Sequence, residues 1–496
     1  MALIRADIDR VRGAIDRRIF GFFTEHLRRI IYNGIYEPDS PLSDSDGFRK
    51  DVIDALKTLH PATLRWPGGN FASAYDWTCG VSPERQPVYD PVWMVVEPNT
   101  FGTDEFVKYC RKVGAEPYIC VNLGDGSQRE AMRWVEYCNG KPGTDMADRR
   151  VKNGAAEPYG VKYWGLGNEL CGDWQIGHKS AAVYATGALE YAKAMRLIDP
   201  AIELVAAGGI HMRDFERVER NWDRVILEKL AGVVDFVGLH FYARRLPVSS
   251  DEGILYRQHM AEPEWLDMNI RLLKNEIQKA EYHMSGKDPR RIKIAVDELG
   301  VCNAGEVFSD LQDALVSACL MNTLLNNADI VALCSYTSIA NIFSPVFTCK
   351  NDMVLQTFYY PMELFARLAS GNALNLYVDS PVFDSDALNG LPLLHSSAAY
   401  DPEKGTVTLF VVNRSPEADI DAQVECRSWR PGGPCEIYEV NGLSLAAANT
   451  FDDKQNVCTK TKSVDVDPGQ KCLTYVFPAH SFTAMKFTTD CKAPVN

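Results

Sequence analysis

Up to about residue 375, short apolar runs alternate along the chain with longer segments that carry a helical period. Several of the eight runs are apolar on consecutive residues, which is typical of parallel strands buried on both faces. The runs cover residues 19–25, 63–69, 116–124, 163–169, 202–209, 236–242, 292–298 and 329–337. Eight strand–helix units predict a (β/α)₈ barrel over residues 17–375. A doubly wound open sheet is the alternative, but no Gly-x-Gly-x-x-Gly motif opens the first unit.

Beyond residue 375 the helical period disappears and short alternating runs take its place. These runs cover residues 405–415, 422–429, 435–440, 471–479 and 481–488, with turn clusters at 431–433 and 467–469 between them. Alternation in runs of six to eleven residues, bounded by Pro and Gly, predicts a β-sandwich over residues 376–496. Residues 1–16 also begin with an alternating pattern, so we expect them to pair with this sandwich.

Charge and composition indicate which partners and which location this protein has. Lys and Arg total 52 and Asp and Glu total 66, which gives a net charge of −14. An excess of acidic over basic residues argues against nucleic acids and anionic membranes as partners. The N-terminus carries charges throughout and no run approaches the roughly 18 apolar residues of a membrane span. We therefore expect a soluble, cytoplasmic protein.

The fourteen cysteines are scattered, with no Cys-x-x-Cys pair and no zinc spacing. We interpret them as reduced thiols that pack as small hydrophobes. A disulfide in the C-terminal part is the alternative. Its candidates are Cys426, Cys435, Cys458, Cys472 and Cys491.

Barrel enzymes place their catalytic groups at the carboxyl ends of the strands. The ends of the predicted strands carry Glu25, Arg65, Asn70, Asn168, Glu169, His240, Tyr242, Asp297 and Glu298. Glu169 and Glu298 follow strands four and seven, on roughly opposite sides of the barrel mouth. Two carboxylates across a cleft are what glycoside cleavage needs, and nothing in the set indicates a metal. Single glutamates here could equally be helix caps, Tyr242 a rim aromatic and His240 a core histidine.

The two glutamates would need opposite protonation states. One carboxyl must be protonated to donate to the leaving oxygen, and the other must be ionised to attack the anomeric carbon. The positive charge of Arg65 and a hydrogen bond from Tyr242 would keep Glu298 ionised. Asn168, just before Glu169, is placed to hydrogen-bond a sugar hydroxyl.

At these residues the chain resembles glycoside hydrolase family 51. The matching motifs are Phe23–Leu27, Arg65–Phe71, Gly167–Glu169, Trp174–Lys179 and Gln356–Pro361. The family consists mainly of α-L-arabinofuranosidases, retaining enzymes with a (β/α)₈ barrel and a C-terminal β-sandwich. The resemblance implies no cofactor and no metal, and it implies a homo-oligomer, often a hexamer.

Residue by residue, the resemblance makes Glu169 the acid/base and Glu298 the nucleophile. It implies that Glu25, Asn70, Asn168 and Gln356 bind the arabinofuranose hydroxyls. It also implies that Tyr242 and Arg65 steady the nucleophile and that Trp174 and Trp93 are aromatics beside the sugar. The carboxyl groups of a retaining pair should lie about 5–5.5 Å apart.

The chain departs from the family after the nucleophile. The family usually has Trp directly after the Glu and again four positions past it, where this chain has Leu299 and Cys302. The following loop is also short. We therefore expect a wider, less aromatic leaving-group side of the cleft, with the sugar pocket itself intact.

These observations predict a retaining, exo-acting α-L-arabinofuranosidase that acts on arabinose-containing oligosaccharides and polysaccharides. A β-xylosidase or endo-β-1,4-glucanase in the same site is the first alternative. A sugar-binding protein without catalysis is the second, and the two glutamates argue against it.

Overall fold

The computed structural model describes residues 1–210, 219–245, 249–284, 291–302 and 305–489. Eight parallel strands close into a barrel, in which the eighth strand pairs with the first. Strands one to eight are Gly21–Phe23, Thr63–Trp66, Glu116–Val121, Tyr163–Leu166, Glu203–Ala206, Phe236–Arg244, Lys293–Cys302 and Val331–Thr337. The predicted (β/α)₈ barrel is confirmed, because each apolar run supplies one strand.

Helices surround the strands and turn their apolar faces inward. They are Lys50–Thr58, Thr103–Val113, Gln128–Asn139, Asp145–Lys152, Ala181–Ile198, Trp222–Leu230, Glu252–His283, Leu311–Asn326 and Tyr359–Leu368. Short 3₁₀ turns cover Arg17–Phe20, Asn70–Ala74 and Cys79–Val81. Local sequence fixes several helix starts: Ser127, for example, accepts from the Glu130 N–H while the Glu130 carboxylate accepts from the Ser127 N–H.

Two small hairpins extend the barrel. The first pairs Val88–Asp90 with Val95–Glu97, and the second pairs Val346–Cys349 with Asp352–Leu355. The first hairpin lies between barrel strands two and three and the second follows strand eight. Connections of this kind lie at the carboxyl face of a barrel, where they shape the site.

The C-terminal part is an all-β domain of two sheets. The seven-stranded sheet has the order Val11–Ala14, Asn372–Leu374, Leu394–Asp401, Thr406–Asn413, Ser481–Thr488, Cys435–Asn441, Cys458–Val464. The four-stranded sheet has the order Tyr377–Asp379, Ala2–Asp7, Ile420–Arg427, Cys472–Phe477. A separate pair joins Val382–Phe383 to Leu391–Pro392. The N-terminal residues therefore supply a strand to each sheet.

The structure differs from the sequence prediction at two kinds of strand. Asn372–Leu374 already pairs within the seven-stranded sheet, so this sheet begins before the predicted boundary at 375. Leu394–Asp401 has no clear alternation because nearly all of it is buried, and Ser397 donates to Asn322 on a barrel helix. Cys458–Val464 is a polar edge strand whose side chains are largely exposed. Neither a doubly buried strand nor a polar edge strand alternates strongly.

Buried polar contacts join the barrel to the sandwich. The fully buried Arg414 guanidinium forms an ion pair with Glu264 at 3.0 Å and donates to the Met260 carbonyl at 3.0 Å. Tyr256, on the same helix, donates to the Arg414 carbonyl. A buried charge with several partners fixes the relative position of the packed elements.

The described cysteines are all free thiols, including Cys426, Cys435, Cys458 and Cys472, whereas Cys491 lies outside the described residues. Within the described ranges, no helix is both long and apolar enough to cross a membrane.

Candidate active site

Glu169 and Glu298 meet at the carboxyl end of the barrel. Glu169 follows strand four and Glu298 lies within strand seven, and both are buried. One carboxylate oxygen of each lies within 4.8 Å of the other. This separation is near the roughly 5–5.5 Å of retaining glycosidases and well short of the roughly 6.5–9.5 Å that leaves room for a water in inverting enzymes.

Both oxygens of Glu298 are held by hydrogen bonds. Arg65 donates to Oε1 at 2.7 Å and the Tyr242 hydroxyl donates to Oε2 at 2.8 Å. The same guanidinium donates to Asn168 Oδ1 at 2.6 Å. A Cβ at Gly69 would lie only 2.7 Å from Glu298 Oε1, so only glycine fits beside the carboxylate. Glu298 is therefore oriented and balanced by a positive charge.

Glu169 is held in a backbone conformation that L-residues rarely adopt. Its φ is +47°, and Gly167 two positions earlier has φ +81°. The Trp174 indole donates to Glu169 Oε2 at 3.2 Å, and His240 Nδ1 lies 2.9 Å from Oε1. Strained residues of this kind persist where surrounding contacts fix them, as happens in active sites.

His240 lies between the carboxylates, a position that the sequence did not reveal. Its Nδ1 is 3.6 Å from Glu298 Oε2 and its Nε2 is 3.5 Å from Asp297 Oδ1. Burial lowers the pKa of His240, but the charges of Glu298 and Asp297 and the hydrogen bond to Glu169 outweigh it and raise the pKa to about 10. The imidazole is therefore protonated at neutral pH. A buried histidine near a strand end is equally typical of a core position, so sequence gave no signal beyond its place in the strand.

Glu25 lies beside Gly69 and accepts three hydrogen bonds at Oε1. The donors are the N–H groups of Gly69 at 3.1 Å and Phe71 at 3.0 Å and the Trp93 indole at 3.3 Å. Burial raises the pKa of Glu25 to about 8, and the charge of Glu298 adds to this rise. Below this pH the carboxyl is neutral, so it can donate one hydrogen bond as well as accept others.

The protonation of Glu25 gives a testable pH dependence. In Glu25→Gln the side chain at position 25 is neutral at every pH. In the wild-type protein the Glu25 carboxyl group, with its pKa of about 8, loses its proton as the pH rises. The ratio of variant to wild-type kcat/KM should therefore rise about tenfold between pH 6 and pH 9. Any other pH effect that the two proteins share cancels in the ratio. Asn70→Ala, which changes a neutral cavity residue, is the control; a pH-independent Glu25→Gln ratio would contradict the assignment.

The glutamates line a cavity of about 370 Å³. Its predicted members are Glu25, Asn70, Trp93, Glu169, Trp174, Tyr242 and Glu298. It also includes Phe23, Leu27, Ile30, Thr337, Ile342 and Phe343, which the sequence analysis missed. The sequence contains only one feature that could have identified these residues, namely their position in or shortly after strands one and eight. A larger cleft of about 840 Å³ between the outer helices contains neither glutamate.

Three predicted site residues lie behind the cavity wall. Arg65 acts through Glu298, as described above. Asn168 Nδ2 is buried and has no hydrogen-bond acceptor in the described ranges, and its contact with a sugar hydroxyl stays a prediction. Gln356 is buried, accepts from the Ser309 N–H at 2.7 Å and donates to the Ser344 carbonyl at 2.9 Å. Its sugar contact stays a prediction, and its present hydrogen bonds hold two loops.

The positions that replace the family's tryptophans do not border this cavity. Leu299 is fully buried in the core. Cys302 is half-buried at the end of strand seven, where it pairs with Arg244 of strand six. Instead, Phe343 supplies an aromatic ring to the cavity from the loop after strand eight.

Glu169, His240 and Glu298 place one possible metal-binding atom each within 4.8 Å. The sequence analysis found no such set, since the three residues are distant along the chain. A metal needs a neutral imidazole and free carboxylate oxygens. Both Glu298 oxygens already accept hydrogen bonds, from Arg65 and Tyr242, and the Arg65 guanidinium adds a positive charge beside the set, so the donor set does not fit a metal.

Known proteins match this chain along nearly its whole length. Residues 55–257 match the family described as alpha-L-arabinofuranosidase 1 domain, and residues 298–481 match the alpha-L-arabinofuranosidase C-terminal domain. A relative from Acetivibrio thermocellus, named intracellular exo-alpha-(1->5)-L-arabinofuranosidase, is 35% identical over 92% of this chain and 93% of its own. Alpha-L-arabinofuranosidase C of Emericella nidulans is 33% identical over 97% and 96%.

Solved structures show the same likeness. The α-L-arabinofuranosidase of Thermotoga maritima in its arabinose complex has a TM-score of 0.88 and 33% identity, covering 98% of this chain and 99% of that one. The family 51 α-L-arabinofuranosidase of Bifidobacterium longum has a TM-score of 0.91 and 29% identity, with the same coverage.

Proposed function

The chain belongs to the α-L-arabinofuranosidases of glycoside hydrolase family 51, and we propose that Glu298 and Glu169 carry its reaction by double displacement. Glu298 attacks the anomeric carbon while Glu169 protonates the leaving oxygen, which gives a covalent arabinosyl-enzyme. Glu169 then takes a proton from water, which attacks the same carbon and releases arabinose with its configuration retained. The observation that carries this proposal is the short separation of the two carboxylates, with both Glu298 oxygens held.

The other cavity residues have roles that follow from their contacts. Glu25, Asn70 and the unsatisfied amide of Asn168 would bind the hydroxyls of one arabinofuranose ring. Trp93 and Trp174 would form aromatic walls, while Arg65 and Tyr242 orient the nucleophile. A cavity of about 370 Å³ favours release of single terminal residues from arabinose-containing oligosaccharides and polysaccharides.

The decisive experiment compares three substrates and follows the product. We expect hydrolysis of an aryl α-L-arabinofuranoside, and far slower or no hydrolysis of an aryl β-xyloside and a soluble β-1,4-glucan. Proton NMR should show that the first arabinose released has the α configuration of the substrate. First release of the β anomer would overturn the double displacement. Faster cleavage of the xyloside or glucan would instead favour the alternative activity, which the named relatives do not support.

Location and assembly remain predictions. Free thiols at the described cysteines and the relative named as intracellular support a cytoplasmic enzyme. A homo-oligomer, including a hexamer, and domain limits at 17–375 and 376–496 are expectations that size-exclusion chromatography with light scattering and limited proteolysis would test.

A further inference from the structure

Three phenylalanine rings from separate parts of the chain form one half-exposed patch, here called the phenylalanine platform. Phe308 follows strand seven, Phe347 lies in the hairpin after strand eight, and Phe451 belongs to the sandwich. The ring centroids are 4.8 Å apart for Phe308 and Phe347, 5.7 Å for Phe308 and Phe451, and 6.1 Å for Phe347 and Phe451. None of the three rings is fully buried, so the patch offers aromatic surface to a ligand.

Short segments of the chain connect the platform to the catalytic cavity. Phe343 lines the cavity and precedes Phe347 by four residues, so their Cα atoms lie within about 14 Å even in an extended chain. Ile30 also lines the cavity, and its neighbour Arg29 stacks on the Phe347 ring at 5.7 Å. Arg29 further pairs with Glu306 at 2.7 Å, which places polar groups beside the aromatic surface.

Gln356 holds both ends of this surface in place. Its carboxamide binds Ser309, next to Phe308, and Ser344, next to Phe343. In addition, Asn341 donates to the Arg29 carbonyl at 2.5 Å. The loops that carry the aromatic rings are therefore fixed before any ligand arrives, which lowers the entropy cost of binding.

The sandwich supplies the third ring through the segment 442–457, which lies against the barrel. The Leu311 N–H donates to the Ala447 carbonyl, and Asn449 donates to the Leu355 carbonyl of the second hairpin. These contacts seat Phe451 beside two rings that belong to the barrel part of the chain.

We propose that Phe343 and the phenylalanine platform bind the glycan chain that leaves the active site, so that the sandwich takes part in substrate recognition. This inference rests on the proposed function. Sugar rings present C–H faces that pack on aromatic rings, and Arg29 and Glu306 offer hydrogen bonds to hydroxyls. The occupant is a linear chain of α-(1→5)-linked arabinofuranose units, whose terminal residue occupies the catalytic cavity. The phenylalanines thus take the place of the tryptophans that the family has after the nucleophile.

The test compares long and short substrates in Phe451→Ala. For each variant, kcat/KM is measured with α-(1→5)-arabinohexaose and with an aryl arabinofuranoside, whose leaving group is one ring rather than a chain of sugars. We expect the ratio of these two values to fall about fivefold in Phe451→Ala, since one aromatic contact contributes less than a factor of ten. Tyr377→Ala is the matched control, because Tyr377 is an exposed aromatic residue of the four-stranded sheet and Phe451 lies in the separate segment 442–457. Its ratio should equal that of wild type.

A second variant separates ligand binding from loop packing. Phe451→Leu keeps an apolar side chain against the barrel but lacks an aromatic face, so its melting temperature should stay near wild type while the ratio still falls. An unchanged ratio in both Phe451 variants, or an equal fall in Tyr377→Ala, would overturn the proposal. If wild type does not cleave the aryl arabinofuranoside at all, the proposed function fails instead. The two failures are therefore distinguishable.

Discussion

Replacement of Glu298 by alanine should abolish turnover of every substrate. Without the carboxylate no covalent intermediate can form, and loss of a covalent nucleophile commonly costs about 10⁴-fold or more in kcat. Added azide should restore part of the activity with an activated aryl arabinofuranoside. Azide would occupy the space of the missing carboxylate and attack from the same face, so a single displacement gives the arabinosyl azide with inverted configuration. The measurement is the rate with and without azide, with NMR of the product.

This experiment can distinguish a variant that is inactive because it does not fold from one that is inactive because it lacks the nucleophile. Glu298→Gln keeps the volume of the side chain and should be equally inactive without azide, while its melting temperature reports on folding. Glu228→Ala is the control, since Glu228 is an exposed glutamate on an outer helix that forms an ion pair with Arg224. Wild-type turnover by either Glu298 variant without azide would refute the nucleophile.

Replacement of Glu169 by alanine should lower kcat/KM much more for some substrates than for others. Substrates with poor leaving groups, such as arabinobiose, need protonation in the first step and should lose about 10²–10⁴-fold in kcat/KM. An activated aryl arabinofuranoside should lose far less in that step, because its phenolate leaves without a proton. The second step then limits the rate, so the arabinosyl-enzyme should accumulate and be visible by mass spectrometry of the intact protein.

The stereochemistry of azide rescue distinguishes the two glutamates. In Glu169→Ala azide attacks the arabinosyl-enzyme that Glu298 has already formed, so two displacements give a product of retained configuration. Glu228→Ala, which changes an exposed glutamate on an outer helix, is the control here too. Equal losses for both substrate types in the first step would mean that another residue is the acid.

His240 places a positive charge between Glu169 and Glu298. Its protonated imidazole lies within 2.9 Å of one carboxylate and 3.6 Å of the other. The charge balances the cluster formed by the carboxylates and Arg65. When Glu298 becomes an ester in the covalent intermediate it loses its charge, and the largest cause that raises the pKa of His240 disappears.

The architecture, and the meeting of Glu169 and Glu298 at one face of the barrel, follow from the amino-acid sequence. Eight apolar runs that can be buried on both faces require parallel strands covered by helices, and eight such units close into a barrel. Once that topology is set, the residues at the strand ends must converge at one face. Glu169 and Glu298 could therefore be found from order along the chain alone.

Only the tertiary structure decided what surrounds the two glutamates. The position of His240 between the carboxylates and the hydrogen bonds of Gln356 join residues that are far apart in sequence. Phe343 and the phenylalanine platform lie on loops and hairpins whose conformation follows from packing. The strand Leu394–Asp401 likewise became apparent only through its burial against a barrel helix. Periodicity records which side of an element is buried, but it carries no information about which distant side chains meet there, because those contacts are set by long-range packing.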